Sequence, residues 1–150
     1  MKLSRPFVLQ AFLCGLAAGL FASCSTPAGP SPVPCTRTTL FTGSRVLAPN
    51  AKDTASITTP ATGHLEVTVD WVLASDFVSV ALAQAPCSVD QLSNSACDVL
   101  FSQFSPPKPL ANSTSLLRAG TYTLIVANLN PIPESVSTQV VLTSAGCAGS

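Results

Sequence analysis

Residues 64–71 alternate strictly between apolar and polar side chains. Leu65, Val67, Val69 and Trp71 fall on one face, and His64, Glu66, Thr68 and Asp70 fall on the other. Successive side chains of an extended chain point to opposite sides, so this period of two predicts a strand with one face buried and one solvated. The pattern recurs at 77–84, where Val78, Val80 and Leu82 are expected inward and Ser79, Ala81 and Ala83 outward. It recurs again at 121–128 through Tyr122, Leu124 and Val126, and at 135–144 through Val136, Val140 and Leu142. Less regular strands are expected at 38–41, 45–48, 53–59, 99–104 and 113–117. Gly43, Pro49-Asn50, Pro60, Pro106-Pro107-Lys108-Pro109 and Asn130-Pro131-Ile132-Pro133 punctuate them. Beyond the N-terminal region no segment carries a 3.6-residue apolar stripe. Short strands at roughly ten-residue spacing predict an all-β fold, an antiparallel, jelly-roll-like β-sandwich of about seven to nine strands.

Cysteine usage points to an oxidising compartment. Setting aside Cys14 and Cys24 leaves Cys35, Cys87, Cys97 and Cys147, an even number that allows three connectivities. Cys87 and Cys97 flank a polar stretch that can close on itself. Cys35 and Cys147 bracket the globular part, whose ends are expected to lie close together. The expected disulfides are therefore Cys87–Cys97 and Cys35–Cys147. A zinc site would need close pairs such as C-x₂₋₄-C, and these spacings are long.

The N-terminus has the layout of a secretory signal peptide. Lys2 and Arg5 precede an apolar stretch at 7–21 in which only Gln10 is polar. At about 15 residues the stretch falls short of the roughly 20 needed to span a bilayer as a helix. It ends in Leu20-Phe21-Ala22-Ser23-Cys24, which resembles the lipobox of bacterial lipoproteins, with Phe21 standing where that family usually has Leu. The resemblance implies that Cys24 is lipidated and becomes the first mature residue. The alternative is ordinary cleavage after Ala22 or Ser23, which leaves a soluble protein. Stable anchoring takes more than one acyl chain, at about 0.8 kcal/mol per buried methylene, and lipoprotein-type modification implies such a set. Ser25 lacks the Asp associated with inner-membrane retention, which favours the outer membrane. The expected organisation is thus a signal peptide at 1–23, a lipidated Cys24 with a tether to residue 34, and a β-sandwich at 35–150. The tether carries Pro27, Pro30, Pro32 and Pro34. In extended polyproline form, at about 3.1 Å per residue, it would hold the domain roughly 30 Å from the lipid.

Without residues 1–23 the chain keeps five basic residues (Arg37, Arg45, Lys52, Lys108, Arg118) and seven acidic ones, a net charge near −2. No basic stripe exists to neutralise phosphates, which argues against nucleic acid as a partner. Only 9% of residues are charged, against about 25% in an average domain, so the surface is solvated mainly by Ser and Thr hydroxyls.

Residues 63–69, Gly-His-Leu-Glu-Val-Thr-Val, and 119–126, Ala-Gly-Thr-Tyr-Thr-Leu-Ile-Val, resemble two strands of bacterial pre-peptidase C-terminal (PPC) domains. Residues 139–143 resemble the closing strand of that family. The resemblance covers about 53–144 and implies a small β-sandwich. The acidic strand common in the family is replaced here by Phe77-Val78-Ser79-Val80-Ala81-Leu82, so no calcium or ligand role is carried over.

The sequence holds no catalytic constellation. His64 is the only histidine, no G-x-S-x-G elbow is present, and Asp70, Asp76, Asp90 and Asp98 are isolated from one another. Neither a metal nor another cofactor is expected. Trp71 and Tyr122 read as core. The apolar, proline-rich stretch around Phe101 and Phe104 reads as the candidate contact surface, together with the 87–97 loop. The expectation is a lipid-anchored, non-catalytic envelope module, binding or structural, whose candidate partners are an envelope protein or a polysaccharide, with an accessory subunit of an envelope complex as the alternative. A hydrolase is the remote third.

Overall fold

In the computed structural model, which describes residues 34–147, eight strands build two four-stranded antiparallel sheets. The strands are β1 (Arg37–Leu47), β2 (Lys52–Thr59), β3 (Gly63–Trp71), β4 (Val78–Gln84), β5 (Val99–Phe104), β6 (Leu110–Ser113), β7 (Gly120–Asn128) and β8 (Glu134–Ser144). A short helix, α1 (Val89–Ser93), lies between β4 and β5. One sheet has the order β1-β8-β3-β6 and the other β2-β7-β4-β5. Consecutive strands alternate between the sheets except β4–β5, and the two orders together are the jelly roll.

The alternating segments supply the space between the sheets. Leu65, Val67, Val69 and Trp71 from β3 meet Val78, Val80 and Leu82 from β4, with Tyr122, Leu124, Val126, Val136, Val140 and Leu142 from β7 and β8. Each fully buried aliphatic chain contributes about 1.5–3 kcal/mol. The central strands are therefore the ones whose period was cleanest. At the start of β3, Gly63 exchanges backbone hydrogen bonds with Leu117 at 3.0 and 2.7 Å. A Cβ at this position would collide with the Thr143 carbonyl oxygen, so the close approach of β8 requires glycine.

Four local expectations are corrected. Segments 38–41 and 45–48 are one strand, β1, which pairs with β8 straight through Gly43. The Phe41 ring covers that glycine, where an added Cβ would sit 2.9 Å from Cζ, and so supplies the packing that glycine lacks. The expected strand 113–117 is instead β6, Leu110–Ser113, because Leu110 enters the core opposite Val69. At residue 114 a side chain takes over from the ladder: the Leu65 N–H donates to the Thr114 hydroxyl at 3.0 Å. The 87–97 loop contains α1, set by a capping box in which the Ser88 hydroxyl accepts from Gln91 N and Gln91 accepts from Ser88 N. Finally, Ala81 and Ala83 are buried despite pointing outward. The disulfide-closed loop folds over them and forms a second, smaller core with Ile125, Cys87, Val89, Leu92 and Cys97.

Disulfides join Cys35 to Cys147 and Cys87 to Cys97. The first ties the start of β1 to the turn after β8. The second closes the loop that carries α1 against the β2-β7-β4-β5 sheet.

Candidate functional site

The outer face of the β2-β7-β4-β5 sheet carries a groove of about 190 Å³. Strand register explains its floor. Lys52 lies opposite Ala127, Ala127 opposite Ser79, and Ser79 opposite Phe104, which makes one cross-strand row. The next row runs Thr54, Ile125, Ala81, Ser102. Ala127 and Ser79 in the first row and Ala81 in the second leave the floor low, with Ile125 standing higher under α1. Phe104 and Lys52 stand at opposite edges, about 14 Å apart across three interstrand steps of ~4.8 Å. Val89, Leu92 and Ser93 of α1 wall one side, and Leu129 lies near the other.

The groove thus joins the two segments singled out from the sequence, the 87–97 loop and the stretch around residue 104. The two phenylalanines part company. Phe104 is 72% exposed at the groove edge, whereas Phe101 packs against the core between the sheets. Residues 99–104 form strand β5, so only 105–109 of the aromatic stretch is a connection. Ile125 is only 4% exposed although it faces outward, because α1 shades it.

The charge in the groove is unbalanced. Ion pairs among the described residues join Arg37 to Glu66, Arg45 to Asp53 and Lys108 to Asp70. None involves Lys52, and no carboxylate lines the groove. A second cleft lies between the sheets beneath Phe41 and the Arg45–Asp53 pair. Its 30 Å³ is room for about one water, too little for a ligand.

The loops at the β3–β4 and β7–β8 connections are held by a buried polar network. Asn128 Nδ2 donates to the carbonyls of Leu47, Ala48 and Ile132, and its Oδ1 accepts from Asn130 N at 2.9 Å. Asn130 clasps Phe77, accepting from its N–H at 3.0 Å and donating to its carbonyl at 3.2 Å. Glu134, 1% exposed, accepts from the amides of Val72 at 2.9 Å and Leu73 at 3.3 Å. Asp76 faces Glu134, and its buried Oδ2 has no conventional donor. Its hydrogen bond to Glu134 holds the Asp76 carboxyl above its usual range, helped by burial and by the neighbouring negative charge. Burial pushes Glu134 up. Hydrogen bonds from Asp76 and from the amides of Val72, Leu73 and Ser135 outweigh it and hold the carboxyl below its ordinary value. When the pair holds a single proton, Asp76 is the member that carries it and donates to the Glu134 carboxylate.

The remaining candidates are dispersed. His64 lies on the outer face of β3 with Nδ1 3.0 Å from the Thr114 carbonyl. Asp70 pairs with Lys108 at 3.7 Å, and Asp90 lies in the first turn of α1. Among the described residues no three His, Cys, Asp or Glu side chains gather as metal ligands. Trp71 and Tyr122 are core, and the Tyr122 hydroxyl donates to the Arg118 carbonyl at 2.8 Å. Cys24 and the tether lie outside the described residues. No described helix is long and apolar enough to cross a membrane.

Fold and groove together define a jelly-roll β-sandwich with an apolar groove on an outer sheet face. Among the described residues, roomier and more polar hollows of about 290 Å³ beside Asp70, Trp71 and Lys108 and of about 370 Å³ beside Leu116, Arg118 and Tyr122 lie elsewhere. No family model and no curated protein matches the chain. Among solved structures it is similar to a mitogen derived from Yersinia pseudotuberculosis, at TM-score 0.49 and 11% identity over 71% of this chain and 86% of that one. It is also similar to a periplasmic inhibitor of g-type lysozyme from Aeromonas hydrophila, at TM-score 0.42 and 12% identity over 71% and 85%. A third is a carbohydrate-binding module solved with calcium and xylotriose, at TM-score 0.37 and 12% identity over 73% and 99%. Likenesses this distant say nothing about what this chain binds.

Proposed function

We propose that this protein is a lipid-anchored, non-catalytic module of the cell envelope that binds its partner in the groove between Phe104, α1 and Lys52. The observation that carries the reading is the convergence of two segments, distant in sequence, on one concave and charge-unbalanced surface. An exposed aromatic ring over a floor of small residues fits binding, and its apolar area offsets the cost of association. Two disulfides fit an oxidising compartment outside the cytoplasm. The anchor belongs to Cys24 and the outer membrane, and the PPC-type resemblance of β3, β7 and β8 belongs to the same proposal.

Two experiments test it. Cys24→Ala should abolish incorporation of a fatty-acid probe and leave an unprocessed precursor; persistent labelling refutes the anchor. Crosslinking in intact cells, followed by mass spectrometry, should capture an envelope partner with the wild-type chain. Phe104→Ser should reduce that capture while leaving the melting temperature within about 2 °C, as for a surface substitution. Capture unchanged by Phe104→Ser refutes the groove.

A further inference from the structure

Seven of the ten residues lining the groove are apolar: Ala81, Val89, Leu92, Phe104, Ile125, Ala127 and Leu129. The polar remainder is Lys52, Ser79 and Ser93. A ligand matching this lining presents an apolar body over most of its length and one negative charge at its end. The volume sets the size of that body. An apolar cavity of about 150 Å³ holds benzene, so 190 Å³ scales to a chain of about seven or eight carbons.

Resting on the reading of the groove as the binding site, we infer that its ligand is a single-chain anionic amphiphile, a medium-length fatty acid. The chain lies along the row from Phe104 over Ser79 and Ala127, and the carboxylate meets the Lys52 ammonium. Charge complementarity selects this occupant. Lys52 is exposed at the groove edge and has no ion-pair partner among the described residues, and the lining contains no acid to repel an anion. A saccharide is the poorer fit, because Ser79 and Ser93 are the only hydroxyls on the lining. A peptide strand is poorer still on this face, since the backbone groups of β7 and β4 are already paired on both sides.

Titration calorimetry on the soluble domain with its disulfides intact tests the assignment with octanoate, octanol, trigalacturonate and an acidic peptide as probes. Octanoate should bind, and octanol about tenfold more weakly for want of the ion pair. Lys52→Gln should bring the two to equal affinity. Phe104→Ser should weaken both by about tenfold. Equal binding of octanoate and octanol to the wild-type chain overturns the assignment, as does preference for the saccharide or the peptide. If octanoate does not bind while Phe104→Ser still abolishes partner capture in cells, the fatty acid is wrong and the groove stands. If Phe104→Ser affects neither, both readings fall.

Discussion

The two sheets of this sandwich share one core and present opposite outer faces. On the β1-β8-β3-β6 sheet most outward positions are polar, with Val46 and Val141 as apolar exceptions. Glu66 bridges Arg37 and the Thr143 hydroxyl, Thr68 and Gln139 face solvent, and His64 rests against the Thr114 carbonyl. On the β2-β7-β4-β5 sheet the corresponding positions are small or apolar, and α1 covers part of them. One face is finished by solvation; the other needs a lid. The disulfide-closed loop supplies that lid over Ala81, Ala83 and Ile125 but stops short of the row from Lys52 to Phe104. The groove is what the lid leaves uncovered.

The sharpest break in this comparison is a charge placed under the lid. Ile125→Asp should lower the unfolding free energy by about 3 kcal/mol or more, because it buries an unpaired carboxylate. Thr68→Asp on the open face should change it by less than about 0.5 kcal/mol. Denaturant titration of both variants checks the contrast, and equal effects would mean that the loop does not seal its face.

Next in size is the clasp of the lid. Replacing Cys87 and Cys97 together with Ala should cost about 2–3 kcal/mol. It should also raise hydrogen exchange in 88–97 while the β3 amides keep their protection. Loss of protection in β3 as well would make the loop part of the main core.

A smaller effect comes from the end where both faces meet, at the Asp76–Glu134 carboxyl pair. The Asp76 value is raised, so its contribution is complete at low pH and is lost as pH rises through that raised value. The Glu134 value is lowered, so its contribution is present above the ordinary Glu range and is lost as pH falls through the lowered value. Melting temperature against pH should therefore fall on both sides. Asp76→Asn keeps a donor for Glu134 and should remove only the fall on the higher-pH side. A variant that retains that fall would place the titrating group elsewhere.

The smallest effect belongs to the open face. Arg37→Ala removes an exposed ion pair with Glu66 and should cost no more than about 1 kcal/mol, less at high salt. A thermal melt at two salt concentrations measures it.

Sequence made some of this legible and hid the rest for physical reasons. Period-two alternation marked β3, β4, β7 and β8, because each buries one face and solvates the other. It placed Ala81 and Ala83 on the outward side of β4, where they lie, but not the cover over them, since both are small enough to suit solvent or a lid. The lid itself announced its helix only through Ser88 and Gln91 of the capping box; five residues are too few for an apolar stripe. The cysteine pairs followed from spacing, and both are joined in the structure. The groove was beyond reach, because Lys52, Ser79, Phe104 and Ala127 come from four strands and meet only through register. The same holds for Asp76 and Glu134, which read as unrelated loop acids until β8 and the β3–β4 connection are brought together.

The direct test of the central claim, that the lidded sheet and not the open one is the binding face, is an amide chemical-shift map of the labelled domain titrated with octanoate. Shifts should concentrate at Lys52, Ser79, Val89, Leu92, Phe104 and Ala127, with Glu66, Thr68 and Gln139 unmoved. Shifts centred on β3 and β8, or spread evenly over both faces, would contradict it.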